Sequence, residues 1–368
     1  MVTALPVEAI EGRGVRLRPL RDSDAPDVAT ACNDPLNRRF LPMLPDPYTL
    51  DDARWWINEG SATARAAGGL ACAIADPRTD RLIGGTGINR VVGERAQGEV
   101  GYWVAPWARR RGVATAATVA LTDWAFGHGF ARLELLTELE NVPSQRVALS
   151  AGYQREGVRR GAAASRDGGR HDLVAYARLP ADPPGPAPRR LPDLPGHQLT
   201  DGVVRLRPLA AEDAEQLYAL RTLPDVVATS LPPAVPSPAD VVRACALAAN
   251  WWLAGERADL VILDAASGGW AGEIGVYHGE PVTGQAMVGY ALLPSWRGRG
   301  YATRALQLVT AWALAQPGTD RLVAGTAATN VASQRVLERA GFRRDLRYVL
   351  TPADLAAQRP HAARQITP

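Results

Sequence analysis

The chain writes four short blocks twice, in the same order, and that repetition decides its architecture before composition is weighed. RRRGVATAA, from Arg109 to Ala117, returns as RGRGYATRA, from Arg297 to Ala305, 188 residues later. GEVGYWVAPWA from Gly98 precedes the first, and QAMVGYALLPSW from Gln285 precedes the second. Downstream stand NVPSQRVALSAGY from Asn141 and NVASQRVLERAGF from Asn330. The two beginnings match as well, GVRLRPLRDSDA from Gly14 and VVRLRPLAAEDA from Val203. A period this long is a duplicated domain rather than a solenoid repeat. The 368 residues suffice for two separate cores. Between the copies, LPADPPGPAPRRLPDLPG is too Pro-rich for a helix or a central strand and reads as a semi-rigid extended linker. The expected division is an N-terminal domain over 1–180, a linker over 181–198 and a C-terminal domain over 199–368.

Within copy one, VRLRPL alternates as a strand does, and DSDAPDVATACN reads as an Asp-capped helix. TLDDARWWINEG signals a second helix, with Thr49 as its cap and acids in its first turn. LACAIAD, RLIGGTGIN and GEVGYWV read as three strands. GVATAATVALTDWAFGHG is a long helix, ARLELLTEL a strand, and SQRVALSAG a helix ending at Gly152. YQREGVRR and DLVAYARL close the copy as strands. The predicted order is β-α-α-β-β-β-α-β-α-β-β, a mixed α/β (α+β) fold.

Composition mainly excludes. The net charge is +3 with both signs interspersed, so no charged field points to nucleic acid or a membrane surface. No apolar run approaches the roughly 18 residues of a membrane span, and the start lacks a signal peptide's basic and apolar regions. Cys32, Cys72 and Cys245 have neither metal nor redox spacing and fit reduced core thiols of a cytoplasmic protein. His278 has no partners at metal spacing, so no metal is expected. All 41 basic residues are Arg. Codon drift explains that, and so does avoidance of self-modification by an enzyme that modifies amines. The Trp55–Trp56 and Trp251–Trp252 pairs are expected to pack in the core or between the domains, and His171 and Asp172 to open a strand.

The repeated loop follows a strand and opens a long helix. A helix start offers unpaired N–H groups and a positive dipole end, which suit a phosphate. Gly112 and Gly300 remove a side chain where backbone must approach a ligand. Arg109 and Arg297 add a charge able to chelate phosphate oxygens. No Gly-Lys-Ser/Thr follows, so neither loop is a Walker sequence. Nor is either a dinucleotide fingerprint: copy two has Gly298 and Gly300 but Thr303 at the third glycine position, and copy one has only Gly112.

Arg-x-x-Gly-x-Ala after a Gly-Tyr strand, then Asn-x-x-Ser and a helix ending in Gly-aromatic, resembles the GNAT superfamily of N-acetyltransferases. RLRPLRDSDA and CNDPLNRRFLPMLPDPYTLDDARWWI resemble its RimJ/RimL branch, which acetylates ribosomal-protein N-termini. The resemblance covers nearly the whole chain outside the linker. It implies two tandem GNAT-like domains that pair with each other, each a mostly antiparallel twisted sheet flanked by helices. It implies acetyl-CoA, or another acyl-CoA, as cofactor, and a primary amine of a small molecule, peptide or protein N-terminus as acceptor. Its relatives differ in substrate, so the acceptor does not follow from the fold. The implied cofactor seat in copy one is Arg109, Arg110, Arg111, Gly112, Val113, Ala114 and Thr115, with the pyrophosphate on the amides of Arg110 to Ala114. In copy two it is Arg297, Gly298, Arg299, Gly300, Tyr301, Ala302 and Thr303. Asn141 and Ser144, and Asn330 and Ser333, are further implied contacts. The pantetheine arm is expected along the strand edge at Trp103 and Val104.

Direct attack on a thioester needs a neutral amine. Deprotonation at pH 7 costs roughly 1.4 kcal/mol for an α-amine and roughly 4.6 for a lysine. Glu99 is the candidate base, directly or through water, against a plain solvated edge glutamate. Glu134 and Glu138 on the next strand are weaker candidates. The family's leaving-group tyrosine is absent, because Ala148 and Leu337 stand seven residues after each Asn. Ser144 and Ser333 fit that part, as in the RimJ/RimL branch, and fit equally a helix cap. Polarising the thioester carbonyl falls to a strand N–H near Trp103.

The copies are not equivalent. Met287 matches Glu99, LVAGTAA matches LELLTEL without its acids, and RRDLRYVL is followed from Thr351 by a polar tail without a clear partner strand. Glu273 is the evident substitute carboxylate. Copy one is expected to turn over and copy two to be degenerate. Two alternatives stay open: a CoA-binding sensor or scaffold without turnover, and a nucleotide-binding protein.

Overall fold

The computed structural model describes residues 5–344, apart from 7, 231–232 and 281–282. The first half begins with β1 (Ile10–Gly12), β2 (Val15–Arg18), α1 (Ala25–Cys32) and α2 (Pro35–Phe40). Next come α3 (Leu50–Trp55), a π-helical turn at Trp56–Gly60 and α4 (Ser61–Ala66). It continues through β3 (Leu70–Ala75), β4 (Leu82–Val92), β5 (Gln97–Val104), α5 (Val113–Gly127), β6 (Arg132–Glu138), α6 (Val142–Ser150), β7 (Gln154–Ala164) and β8 (Arg170–Arg178). The second half comprises β9 (Leu199–Thr200), β10 (Val204–Pro208), α7 (Ala214–Arg221), α8 (Pro224–Thr229), α9 (Pro238–Leu253), β11 (Arg257–Asp264) and β12 (Trp270–Glu280). It ends with β13 (Gln285–Leu292), α10 (Tyr301–Leu314), β14 (Arg321–Val323) and α11 (Val331–Arg339).

Each half builds one mixed sheet, in the order β1-β2-β3-β4-β5-β6-β8-β7 and β14-β13-β12-β11-β10-β9. Every pairing is antiparallel except β5 with β6 and β13 with β14. β3 is buried along its whole length because helices cover both faces. On one face, Ala117, Leu121 and Ala125 of α5 pack over Leu17, Ile88, Val100 and Leu133. On the other, Val28, Cys32, Ala53 and Ile57 pack over Ala73 and Leu82. In the second half α10 and the α7–α9 layer take the same places.

Several local expectations need correction. β1 and α2 were not anticipated, and the second helix is broken by the π turn. Asp24 does not cap α1. Its carboxylate forms a buried bidentate pair with Arg18, at 2.8 Å for both bonds, and accepts the Arg21 amide. Arg207 and Asp213 repeat that pair in the second half, both bonds at 2.7 Å. Thr49 does cap α3, in a box with Asp52. The strand expected over LVAGTAA shrinks to β14, whereas β6 is seven residues long and is held on its far side by β8. RRDLRYVL from its third residue, and the tail after it, lie outside the described residues.

The Pro-rich connection is fastened along its course. The Ala187 amide donates to the Leu149 carbonyl at 2.8 Å, and Leu191 and Leu194 are buried in the second core. Asp193 receives Arg146 of α6 at 2.7 Å and Arg189 at 3.1 Å, and these guanidiniums hold its carboxyl well below the usual range against the opposing effect of burial. Leu253 of α9 enters the first core, and Arg155 faces Glu256 at 3.6 Å. The halves thus meet chiefly through α6 and α9. Among the described residues, no helix is long and apolar enough to cross a membrane.

Candidate active site

β5 and β6 pair only from Gln97–Arg132 to Glu99–Glu134, while β5 continues beside β4 as far as Val104. Beyond Glu99 one edge of β5 is therefore open, and a wedge separates the two strands. The Ala105 amide donates to the Ile83 carbonyl at 3.0 Å, which sets the phase of the β4–β5 ladder. By alternation, the backbone of Gly101 and Trp103 faces β4, and that of Tyr102 and Val104 faces the wedge. The free strand N–H groups are thus those of Tyr102 and Val104, flanking Trp103 rather than belonging to it.

At the far end of β5, a tight turn at Pro106–Ala108 leads into the loop before α5. Arg110 and Gly112 are left-handed, with φ of +61° and +75°. Gly298 and Gly300 repeat this at +74° and +80°, so the two loops share one conformation. Among the described residues, the amides of Arg110 through Thr115 find no acceptor, and the helix ladder starts with Ala116 donating to Gly112. Neither α5 nor α10 has a side-chain cap, although Asp34, Thr49, Asn141, Ser237 and Asn330 cap other helices. A Cβ placed on Gly112 or Gly300 meets no atom within 4 Å, so the space before each loop is open. Bare amides at a dipole's positive end, beside an open strand edge, fit the pyrophosphate and amide-bearing arm of CoA. Arg109 is committed elsewhere, bonded to Asp34, and Arg297 is bonded to Asp225 at 2.6 Å. Arg110, Arg111 and Arg299 remain exposed at the loops.

Ser144 sits across the wedge, at the start of α6. Asn141 caps that helix by accepting the Ser144 amide at 3.2 Å, so Ser144 itself is not the cap. Its hydroxyl lies 2.9 Å from the hydroxyl of Tyr102, which reaches over from β5. Tyr290 and Ser333 repeat the contact at 2.9 Å, and Asn330 caps α11. Burial pushes the Tyr102 phenol well above its usual range, so it stays protonated and acts as a hydrogen-bonding group. The sequence marked Tyr102 only as part of a strand; its partner lies 42 residues away and carried no signal.

Glu99 lies where the wedge begins. Burial raises its pKa, Arg90 at 3.1 Å pulls it partly back, and Glu134 opposite raises it further. Glu134 is buried and clamped by Arg132 at 2.7 Å and Arg159 at 2.9 Å. Glu138 is half-buried near the end of β6. On the α1–α3 face of the wedge a groove of about 190 Å³ opens over Gly87 and Gly101, walled by Trp56 and by Trp103, whose indole lies on Gly85. Trp56 thus lines a groove and Trp55 is 56% exposed, against the expectation of core packing. Trp252 does pack in the second core, and Trp251 stacks under Arg257. His171 opens β8 at the surface, Asp172 accepts the Gly161 amide at 2.7 Å, and His278 is buried against Thr319.

The second half keeps the loop and the wedge but fills the groove. At matching registers Asp259 replaces Ala71, Glu273 replaces Gly85 and Tyr277 replaces Asn89. Arg221 grips Glu273 at 2.7 and 2.9 Å, and Arg257 grips Asp259 with two bonds of 2.6 Å. The Tyr277 ring lies over Gly275, whose added Cβ would come within 2.5 Å of its hydroxyl. Met287, at the place of Glu99, is half exposed.

Over 147 residues the chain is 28% identical to the uncharacterized N-acetyltransferase YoaA of Bacillus subtilis, covering 39% of this chain and 81% of that protein. Over 157 residues it is 27% identical to the uncharacterized N-acetyltransferase p20 of Bacillus licheniformis, covering 42% and 86%. Among solved structures, Mycobacterium smegmatis RimJ in complex with CoA-disulfide aligns at 24% identity and a TM-score of 0.44, over 49% of this chain and 90% of that one. The acetyltransferase (GNAT) domain family matches residues 15–154 and again 204–343, one match to each half. The chain belongs to the GNAT family of N-acetyltransferases, with two tandem domains of that family.

Proposed function

We propose that the first domain transfers an acetyl group from acetyl-CoA to a primary amine by direct attack, and that the second domain does not turn over. The observation that carries this is the wedge of the first half, where a bare phosphate loop, a free strand edge and Ser144 meet, with Glu99 at its start and an open groove on its α1–α3 face. Acetyl-CoA, the family's acyl donor, supplies the thioester. In this reading the loop amides and Arg110 hold the pyrophosphate, and the wedge-facing amides of Tyr102 and Val104 bind the arm and polarise the carbonyl. Glu99 takes the proton lost by the amine, directly or through water, as the new N–C bond forms. The C–S bond breaks, and the thiolate takes the proton or hydrogen bond that Ser144 offers, with the Ser144 hydroxyl aimed by Tyr102. Acceptors in view are the amine of a small molecule, of a peptide or of a protein N-terminus.

The test is turnover with acetyl-CoA and a panel of primary amines, following free thiol and the mass of the acetylated amine together. Thiol release matched by acetylated product supports the reading. Tight CoA binding without product from any amine favours a sensor or scaffold instead. For the second domain that reading already has a specific support, the ion-paired and Tyr277-covered groove.

A further inference from the structure

We propose that the groove of the first domain selects a primary amine carried beside a flat apolar group, as in an aryl-alkylamine or an amino-terminal aromatic residue. This rests on the first domain's being the acetyltransferase and names the chemistry of its acceptor.

The groove's lining carries the argument. Its floor is glycine at Gly87 and Gly101, the Trp103 indole lies on Gly85, and its walls are Leu20, Leu41, Trp56 and Trp103. An apolar cavity of about 150 Å³ accommodates benzene, and this groove has about 190 Å³. Two of its hydroxyls are spent, and the exposed Asn89 amide stands at its rim. The Thr86 hydroxyl donates to the Gly101 carbonyl at 3.0 Å, and the Tyr102 hydroxyl is engaged with Ser144 at 2.9 Å. No carboxylate lines it; Glu99 stands beyond Gly101, next to Arg90. A polyamine would bring a second ammonium against these walls without a counter-charge, at high desolvation cost. A ring on a glycine floor between two indoles suffers no such cost and gains stacking.

A second observation concerns how Trp56 comes to be there. The helix passes through a π turn at Trp56–Gly60. Such turns are rare and concentrate at functional sites. A Cβ on Gly60 would lie 2.5 Å from Cε3 of Trp56, so this packing of the indole requires glycine. Among the described residues the Trp56 indole N–H has no acceptor. In the second half α9 runs unbroken, and the Trp252 indole N–H donates to the Leu191 and Pro192 carbonyls, each at 3.1 Å. At the constant 188-residue offset between the halves Trp56 corresponds to Ala244 and Trp252 to Ala64, so the second half has no indole at this place.

The experiment measures kcat/KM at saturating acetyl-CoA for 2-phenylethylamine against propylamine, for a Phe-Ala-Ala amide against Ala-Ala-Ala amide, and for spermidine. At least one aromatic acceptor should exceed its aliphatic partner by about tenfold. A preference in the amine pair alone identifies a small aryl-alkylamine, and one in the peptide pair an aromatic N-terminus. Trp56→Ala should collapse the favoured aromatic-to-aliphatic ratio toward one, and Trp56→Phe should restore part of it. Gly60→Ala, which displaces the indole while keeping it, should lower the same ratio. Equal rates within both pairs, or a preference for propylamine or spermidine, overturns the proposal. Absence of acetyl transfer to every acceptor defeats the acetyltransferase assignment itself, and the selectivity with it.

Discussion

Glu99 shows how one residue's surroundings set its chemistry. Burial raises its pKa, and the exposed Arg90 lowers it again. A base must be deprotonated to work, so the acidic limb of kcat/KM should lie above the ordinary carboxylate range. Arg90→Ala removes a lowering influence and should move that limb to higher pH. Glu99→Gln should abolish the limb and reduce kcat roughly 10²-fold. Profiles measured from pH 5 to 9 decide the matter, and a Gln variant within twofold of wild type at every pH removes Glu99 from the reaction. Tyr102 is the residue the sequence hid. Tyr102→Phe leaves ring packing intact but frees the Ser144 hydroxyl to rotate. It should lower kcat about tenfold, with KM for acetyl-CoA nearly unchanged, and the loss should shrink with acyl donors whose thiol is more acidic. A kcat equal to wild type with every donor would make the contact a packing feature.

At the scale of elements, the loop before α5 was readable because its parts are local: a strand, a glycine and a helix start. Its backbone detail was not readable. Arg110 adopts a left-handed conformation where the second domain has Gly298. A non-glycine residue there costs roughly 1 kcal/mol, which suggests that the guanidinium has a use at the loop. Arg110→Gly should therefore keep or raise the melting temperature while raising KM for acetyl-CoA about tenfold, the scale of one charge-assisted hydrogen bond. A lower melting temperature with unchanged KM would show that Arg110 is structural. Asn141 and Thr49 were legible as helix starts for the same local reason. Asp24 misled, because its sequence position suits a cap while the buried Arg18, six residues before it, takes its carboxylate. The π turn at Trp56–Gly60 left no periodic signature, since TLDDARWWINEG still reads as continuous helix. Trp56 was consequently expected in the core or between the domains. Tyr102, whose partner lies 42 residues away, and Trp56, turned by the π turn, were residues the chain alone could not place.

For the whole molecule, duplication means one scaffold under two demands. The two loops share their left-handed residues, and Tyr290–Ser333 repeats Tyr102–Ser144, so the parts proposed to face CoA persist in both halves. The parts facing an acceptor do not. Glu273, which might have replaced the lost base, is held by Arg221, and Tyr277 covers the floor that stays open in the first domain. Meanwhile α9 packs against α6, the helix carrying Ser144, and Asp193 of the connection binds Arg146 two residues further along it. The second domain is thus placed to brace the proposed site of the first. The two loops offer a matched comparison, because each glycine faces open space and a bulky side chain there disturbs the ligand more than the core. The left-handed φ adds some strain to both variants equally, and circular dichroism with melting curves checks that they fold alike. Gly112→Trp should weaken CoA binding at the first site at least tenfold, about 1.4 kcal/mol, and abolish turnover on one good amine. Gly300→Trp should remove whatever CoA the second domain holds, as calorimetric stoichiometry reports, and largely spare turnover. Equal halving by each variant would mean two working sites, and loss of activity only in Gly300→Trp would assign the reaction to the second domain.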